Sequence, residues 1–240
     1  MEIKGTLQKI NEKILCACNK AKRSHDEVTV IGVTKAQSEQ AIISSVEAGL
    51  FNIGESYVQE ALQKIEAVSK HQAYKKITWH FLGRLQTNKI KMLDTKFSFV
   101  HSVYKPEQLK ELDKRISTDL GIFFEMNTGE ELSKGGVCSV NELFALVQQT
   151  LEINEKRRTE NKPELKPFGL MCIPPFNDDA EASRKHFATL KETLEKVNKA
   201  CGTKMTGLSM GMSSDFDIAI EEGATHVRIG TLLYGERGTF

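Results

Sequence analysis

The sequence predicts an α/β fold, a single (β/α)₈ TIM-type barrel with an extra N-terminal helix. Three observations carry that expectation. Eight short runs rich in β-branched and aromatic residues alternate with stretches whose apolar residues recur at helical spacing. The first run, VTVIGVTK at Val28–Lys35, has the character of a parallel strand buried on both faces. The 240 residues contain no low-complexity linker, and barrels of this kind use that length as one domain. Residues 1–240 are therefore expected to form one domain, with 1–27 as a helix and lead-in. A doubly wound open sheet is the alternative, but it usually has fewer strands in one domain.

In chain order, residues 4–23 place Leu7, Ile10, Ile14, Cys18 and Ala21 on one stripe opposite a lysine-rich face. After the first strand, Ser38–Ala48 is expected as a helix closed by Gly49. Asn52–Ser56 is the second strand, followed by a helix from Tyr57 to about Val68. Ile77–Gly83 and Phe97–Val103 are the third and fourth strands, separated by a short helix through Met92. Pro106 suits the first turn of the next helix. Gly121–Asn127, Phe168–Ile173, Met205–Met210 and Val227–Gly230 complete the strands. Helices are expected over Val140–Glu155, Asp179–Lys199 and Ser214–Glu222, the last with Ser214 as N-cap. Lys156–Lys166, charged and containing Pro163, is expected as a surface connection. Too few residues follow Gly230 for a full eighth helix, so the N-terminal helix is expected to pack on the barrel in its place.

Composition narrows the function. Apolar residues make up 40% and charged residues 27%, an ordinary globular balance. A net charge of +1 argues against a nucleic-acid surface. No apolar run is long enough to span a bilayer, and Met1–Cys18 is too charged for a signal peptide. The five cysteines show neither a disulfide framework nor zinc spacing, which points to reduced thiols in the cytoplasm.

In such a barrel, chemistry belongs at the C-terminal ends of the strands. Lys35 ends the first strand on the face of Ile31 and Val33, an odd place for a solvated ammonium. SMGMSS at Ser209–Ser214 and RIGT at Arg228–Thr231 supply small residues whose N–H groups can face an anion. They occupy the two loops where these barrels often bind phosphate. A lysine facing a phosphate site suits Schiff-base formation with a phosphorylated aldehyde. Desolvation and the nearby Arg228 would lower the pKa of that lysine toward a neutral, attacking amine. Arg228 could donate to a pyridine nitrogen without accepting from it, leaving the ring a poor electron sink. Its structural alternative is an ion pair with a barrel carboxylate such as Glu125. His80 and His101, inside strands, are expected as core histidines, and no metal site is proposed. Lys134-Gly135-Gly136 reads first as an exposed loop and second as a phosphate contact, and the lysines of Gln86–Lys91 first as a solvated face and second as a substrate-gating or partner surface.

These residues resemble the pyridoxal-phosphate homeostasis proteins. The carriers are VTK at Val33–Lys35, GESYVQEAL at Gly54–Leu62, WHFLGRLQTNKIK at Trp79–Lys91, VHSV at Val100–Val103, SKGG at Ser133–Gly136, GLMCIPP at Gly169–Pro175, LSMGMSSD at Leu208–Asp215 and VRIGTLLYG at Val227–Gly235. The resemblance implies a barrel of the alanine-racemase type that binds pyridoxal 5′-phosphate. Lys35 would form the internal aldimine; Ser209, Gly230 and Thr231 would hold the phosphate; Arg228 would approach the ring nitrogen. Met210 and Ser56 complete the implied cofactor site, Ser56 standing where the family usually has asparagine. The implied role is non-catalytic: holding the cofactor, delivering it transiently to apoenzymes, and so influencing vitamin B6 and amino-acid balance.

The alternative is a cofactor-dependent amino-acid racemase, which needs a second acid–base group opposite the lysine. Related racemases take that tyrosine from a second domain across a dimer. Here only Tyr57 and Tyr234 offer substitutes, and a monomer without that domain is expected. A phosphosugar-handling barrel using Glu55 or Glu125 as base leaves Lys35 without a task.

Overall fold

The structure, a computed structural model, describes residues 3–131 and 133–235. Eight parallel strands close a barrel in sequence order: β1 (Thr29–Val33), β2 (Asn52–Glu55), β3 (Thr78–Phe81), β4 (Phe99–Val103), β5 (Leu120–Glu125), β6 (Leu165–Met171), β7 (Gly207–Met212) and β8 (His226–Ile229). The ring closes between β8 and β1, with His226 opposite Thr29 and Ile229 opposite Gly32. The outer layer is α1 (Ile3–Lys20), α2 (Glu39–Glu47), α3 (Val58–Ser69), α4 (Pro106–Arg115), α5 (Val140–Thr159), α6 (Arg184–Cys201), α7 (Phe216–Glu221) and α8 (Thr231–Tyr234). Between β3 and β4 the helix is a 3₁₀ segment, Thr87–Met92.

Every expected strand exists. The α8 helix spans only four residues, and α1 covers the region around it, as expected. Ile3, Leu7, Ile10, Ile14, Ala17 and Cys18 form the buried face of α1, which packs on α7, α8 and α2. Each large aliphatic side chain on that face contributes about 1.5–3 kcal/mol through burial. Polar ties add direction. Lys20 pairs with Glu221 at 3.1 Å, and Arg23 Nη1 donates to the carbonyls of Ile220 (2.9 Å) and Ala224 (3.0 Å).

Two segments differ from expectation. Lys156–Lys166 is not simply a surface connection: α5 continues to Thr159, and the side chain of Arg157 is buried. Its guanidinium donates to the carbonyls of Pro163, Asp113 and Ile116 and pairs with the Asp113 carboxylate at 3.0 Å. Arginine can be buried when all its donors find acceptors. The second difference is β7, which runs two residues beyond Met210, to Met212. Its pairing with β8 shifts register between Ser209 and Met212, where Gly211 adopts φ +88°. A side chain at Gly211 would also come within 2.5 Å of Ala219 Cβ.

Helix α5 is capped by Ser139, whose hydroxyl accepts from the Glu142 N–H at 3.2 Å. Ser139→Ala is expected to lower stability by about 1 kcal/mol, read as a shifted urea midpoint with an unchanged slope.

Candidate ligand site at the C-terminal rim of the barrel

At the C-terminal ends of the strands lies a cavity of about 510 Å³. Its polar lining comes from Lys35, Gln37, Ser56, Ser213, Ser214, Arg228 and Thr231, with Gly230 and Gly235 exposing backbone. Leu82, Ile173, Phe176 and Met212 supply apolar walls, and Phe176 is 90% exposed at the mouth. Among the described residues two cations line this cavity and no carboxylate does.

Lys35 sits beyond the strand it was expected to end. The last β1 residue is Val33, and Thr34 leaves the strand with its N–H on the Gly54 carbonyl at 3.0 Å. Val33 and Lys35 nevertheless both face the cavity, as alternation from the strand requires. The backbone on either side of Lys35 is clamped. Lys64 Nζ donates to the Thr34 carbonyl at 2.6 Å, and Glu60 accepts from the Ala36 N–H at 2.7 Å. Lys64 also pairs with Glu60 and, at 2.9 Å, with Glu55 Oε1, which accepts from the Thr34 hydroxyl at 2.6 Å. Burial raises the Glu55 pKa, opposed by the Thr34 hydrogen bond and Lys64, and its buried Oε2 has no hydrogen-bond partner among the described residues. The only sequence signal for this network is the i,i+4 spacing of Glu60 and Lys64.

Arg228, on β8, is buried beneath the cavity. Its Nη1 donates to Ser209 Oγ at 2.8 Å and its Nη2 to the Cys172 carbonyl at 2.9 Å. The alternative ion pair with Glu125 does not form. Burial lowers the Arg228 pKa, with neighbouring acidic groups opposing.

The loop residues are distributed differently from the sequence expectation. Ser56, Gly230 and Thr231 join Lys35 and Arg228 around the cavity, but Ser209 and Met210 do not line it. Both are fully buried within β7, and the Ser209 hydroxyl is engaged by Arg228 and His101. The bulge at Gly211 carries the strand two residues on, so the hydroxyls reaching the cavity belong to Ser213 and Ser214. Ser213 Oγ accepts from the Leu232 N–H at 3.3 Å and thereby ties the β7 loop to the β8 loop. Asp215, and not Ser214, is the N-cap residue of α7.

A second cavity of about 220 Å³ shares the walls Leu82 and Ile173. Arg84, Glu125, Lys134 and Gly135 line it, so the SKGG segment is folded against a cavity and is not a free loop. Lys134 Nζ donates to the Pro174 carbonyl at 2.9 Å and pairs with Glu131. Burial raises the Glu125 carboxyl to about 7, against the pull of Arg228 and Arg84. Of the tyrosines, Tyr57 is 61% exposed, and Tyr234 is buried with its hydroxyl 2.9 Å from Ser45 Oγ. Neither lines either cavity.

Known proteins are similar to this chain in sequence and fold. The family model for the alanine racemase N-terminal domain matches residues 7–238. A pyridoxal phosphate homeostasis protein of Aquifex aeolicus is 39% identical over 234 residues, covering 96% of both chains. The chain belongs to this family. A second member, from Escherichia coli K12, is 30% identical, with 98% of this chain and 97% of the other covered. The solved structure of PipY from Synechococcus elongatus, with PLP bound, superposes with a TM-score of 0.78 at 27% identity, covering 97% of this chain and all of that one. Alanine racemase from Corynebacterium glutamicum shares the fold at 14% identity and a TM-score of 0.66, and the match covers 61% of its length. The chain thus corresponds in fold to a part of that racemase.

Proposed function

We propose that this barrel holds pyridoxal 5′-phosphate at the rim cavity, bound as an aldimine through Lys35, and that it keeps and delivers the cofactor without turning over a substrate. The observation that carries this reading is the charge of the cavity. Lys35 and the buried Arg228 face it, and no carboxylate among the described residues does, which suits a phosphorylated, electron-rich ligand. The names of the Aquifex and Escherichia relatives and the cofactor of PipY support it.

The parts divide the work. Ser213, Ser214, Gly230 and Thr231 offer hydroxyl and backbone donors from two joined loops for the phosphate. Arg228 stands for the ring nitrogen and Ser56 for a hydrogen bond at the rim. Ser209 acts from below, through Arg228, and Met210 packs in the core behind it. When bound, the cofactor supplies an aldehyde that a neutral amine captures. A guanidinium only donates, so the ring nitrogen facing it stays unprotonated and withdraws electrons weakly, which favours holding over carbanion chemistry. The placement of Tyr57 and Tyr234 away from both cavities also favours a carrier over a racemase. Among the described residues no helix is long and apolar enough to cross a membrane. The reading is of a cytoplasmic monomer that meets apoenzymes transiently.

The test is the visible absorption spectrum of the purified protein, before and after borohydride, beside Lys35→Ala. A band that borohydride abolishes and the variant lacks is the expected result. No band after addition of pyridoxal phosphate overturns the proposal. Inversion of alanine or serine at a rate dependent on Lys35 overturns the carrier role.

A further inference from the structure

A single file of hydrogen bonds crosses the barrel interior from Arg228 to Asn52. Arg228 Nη1 meets Ser209 Oγ at 2.8 Å, Ser209 Oγ meets His101 Nδ1 at 2.8 Å, His101 Nε2 meets His80 Nδ1 at 3.0 Å, and His80 Nε2 meets Asn52 Oδ1 at 3.1 Å. Four strands besides β8 contribute: β7, β4, β3 and β2.

The direction of the file follows from its far end. The Asn52 oxygen only accepts, so His80 carries its proton on Nε2 and, as a neutral ring, accepts at Nδ1 from His101 Nε2. His101 in turn accepts at Nδ1 from the Ser209 hydroxyl, whose oxygen accepts from the Arg228 guanidinium. Each ring is thereby one neutral tautomer, and burial, which pushes both histidine pKa values well down, favours that state. The rings are also held in plane: His101 stacks on Phe123 at 4.1 Å and His80 on Phe99 at 4.8 Å. With Ser209 and the Cys172 carbonyl as neutral acceptors, Arg228 is oriented without being neutralised.

We infer that His101 and His80 are positioning residues which, through Ser209, set the direction in which the Arg228 guanidinium donates to a ligand ring nitrogen. This rests on the reading that pyridoxal phosphate occupies the rim cavity with its ring nitrogen on Arg228.

The test loads the protein with pyridoxal phosphate labelled with ¹⁵N in the ring and records the nitrogen resonance together with cofactor affinity and thermal midpoint. His101→Phe preserves the stacking on Phe123 and cuts the file; Ser209→Ala cuts it one link nearer; His80→Phe cuts it one link farther; Ser209→Thr keeps the hydroxyl. Expected are a displaced resonance and a several-fold weaker affinity in Ser209→Ala and His101→Phe, a smaller change in His80→Phe, and recovery in Ser209→Thr. A merely structural role would lower the midpoints and leave the resonance in place, and that result overturns the inference. Should His101→Phe fail to fold, Ser209→Ala alone decides. A wild-type protein without a borohydride-sensitive band refutes the cofactor reading instead, and the assigned task falls with it.

Discussion

Lowering the pH from 7 to 5 is expected to cost this barrel about 4 kcal/mol of stability. His80, His101 and His226 are buried, and burial lowers each pKa, that of His226 to about 4. The unfolded chain takes up protons on all three as pH falls through about 6.5, and the folded chain does not. Stability is therefore intact above about 6.5 and lost below it. At pH 5 each histidine costs roughly 2 kcal/mol, about 6 kcal/mol together, against a total of about 5–15 kcal/mol for a typical domain. Glu125 acts in the opposite direction. Its folded pKa is raised to about 7, so the stability of its neutral form is present below about 4.5 and lost as pH rises through 7. Acidification to pH 5 returns roughly 2 kcal/mol through that one carboxyl, leaving a net loss of about 4 kcal/mol. Urea midpoints at the two pH values check the sum, and Glu125→Gln is expected to steepen the acid loss. A flat profile between pH 7 and 5 would mean that the histidines take up protons in the native barrel.

Lys64→Met is expected to cost about 3–5 kcal/mol, the usual result of removing one partner of a buried ion pair. The Lys64 ammonium is almost inaccessible and serves Glu55, Glu60 and the Thr34 carbonyl at once. Without it, the Glu55 carboxylate keeps only the Thr34 hydroxyl in a site where burial already raises its pKa. The variant should lose more stability as pH rises, because the remaining carboxyl is tolerated only when protonated. Adding Glu55→Gln should recover a large part of the loss, a coupling that a double-mutant cycle measures directly. A cost below about 1 kcal/mol would show that water reaches the pair. The same variant frees the backbone on one side of Lys35, so under the proposed function retention of the cofactor should fall as well.

The barrel was legible in the sequence because each strand is a short β-branched or aromatic run and each helix shows its stripe. What escaped was local. Arg157 lies in a stretch of charges, and nothing in its neighbours announces that three carbonyls from other segments converge on it. Ser209 and Ser213 belong to one run of small residues, and spacing alone does not reveal the bulge at Gly211 that sends one hydroxyl inward and the other to the rim. The histidines were legible as core residues but not as partners, since β3 and β4 bring together residues 21 apart in sequence. Lys35, Arg228, Gly230 and Thr231 were found at the rim because their strand ends were read within a residue or two.

The packing of α1 on α7 and α8 also sets an order of events during synthesis. The helix leaves the ribosome well before its partners: Glu221 and the carbonyls of Ile220 and Ala224, which receive its ion pair and the Arg23 hydrogen bonds, emerge about two hundred residues later. Translation at about 5–20 residues per second leaves the apolar face of α1 waiting for on the order of ten seconds or more. Closure of the ring between β1 and β8 waits equally long. Contacts of such sequence separation are slow to form, so α1 is made long before it docks, and in that interval its uncovered apolar face is an aggregation hazard.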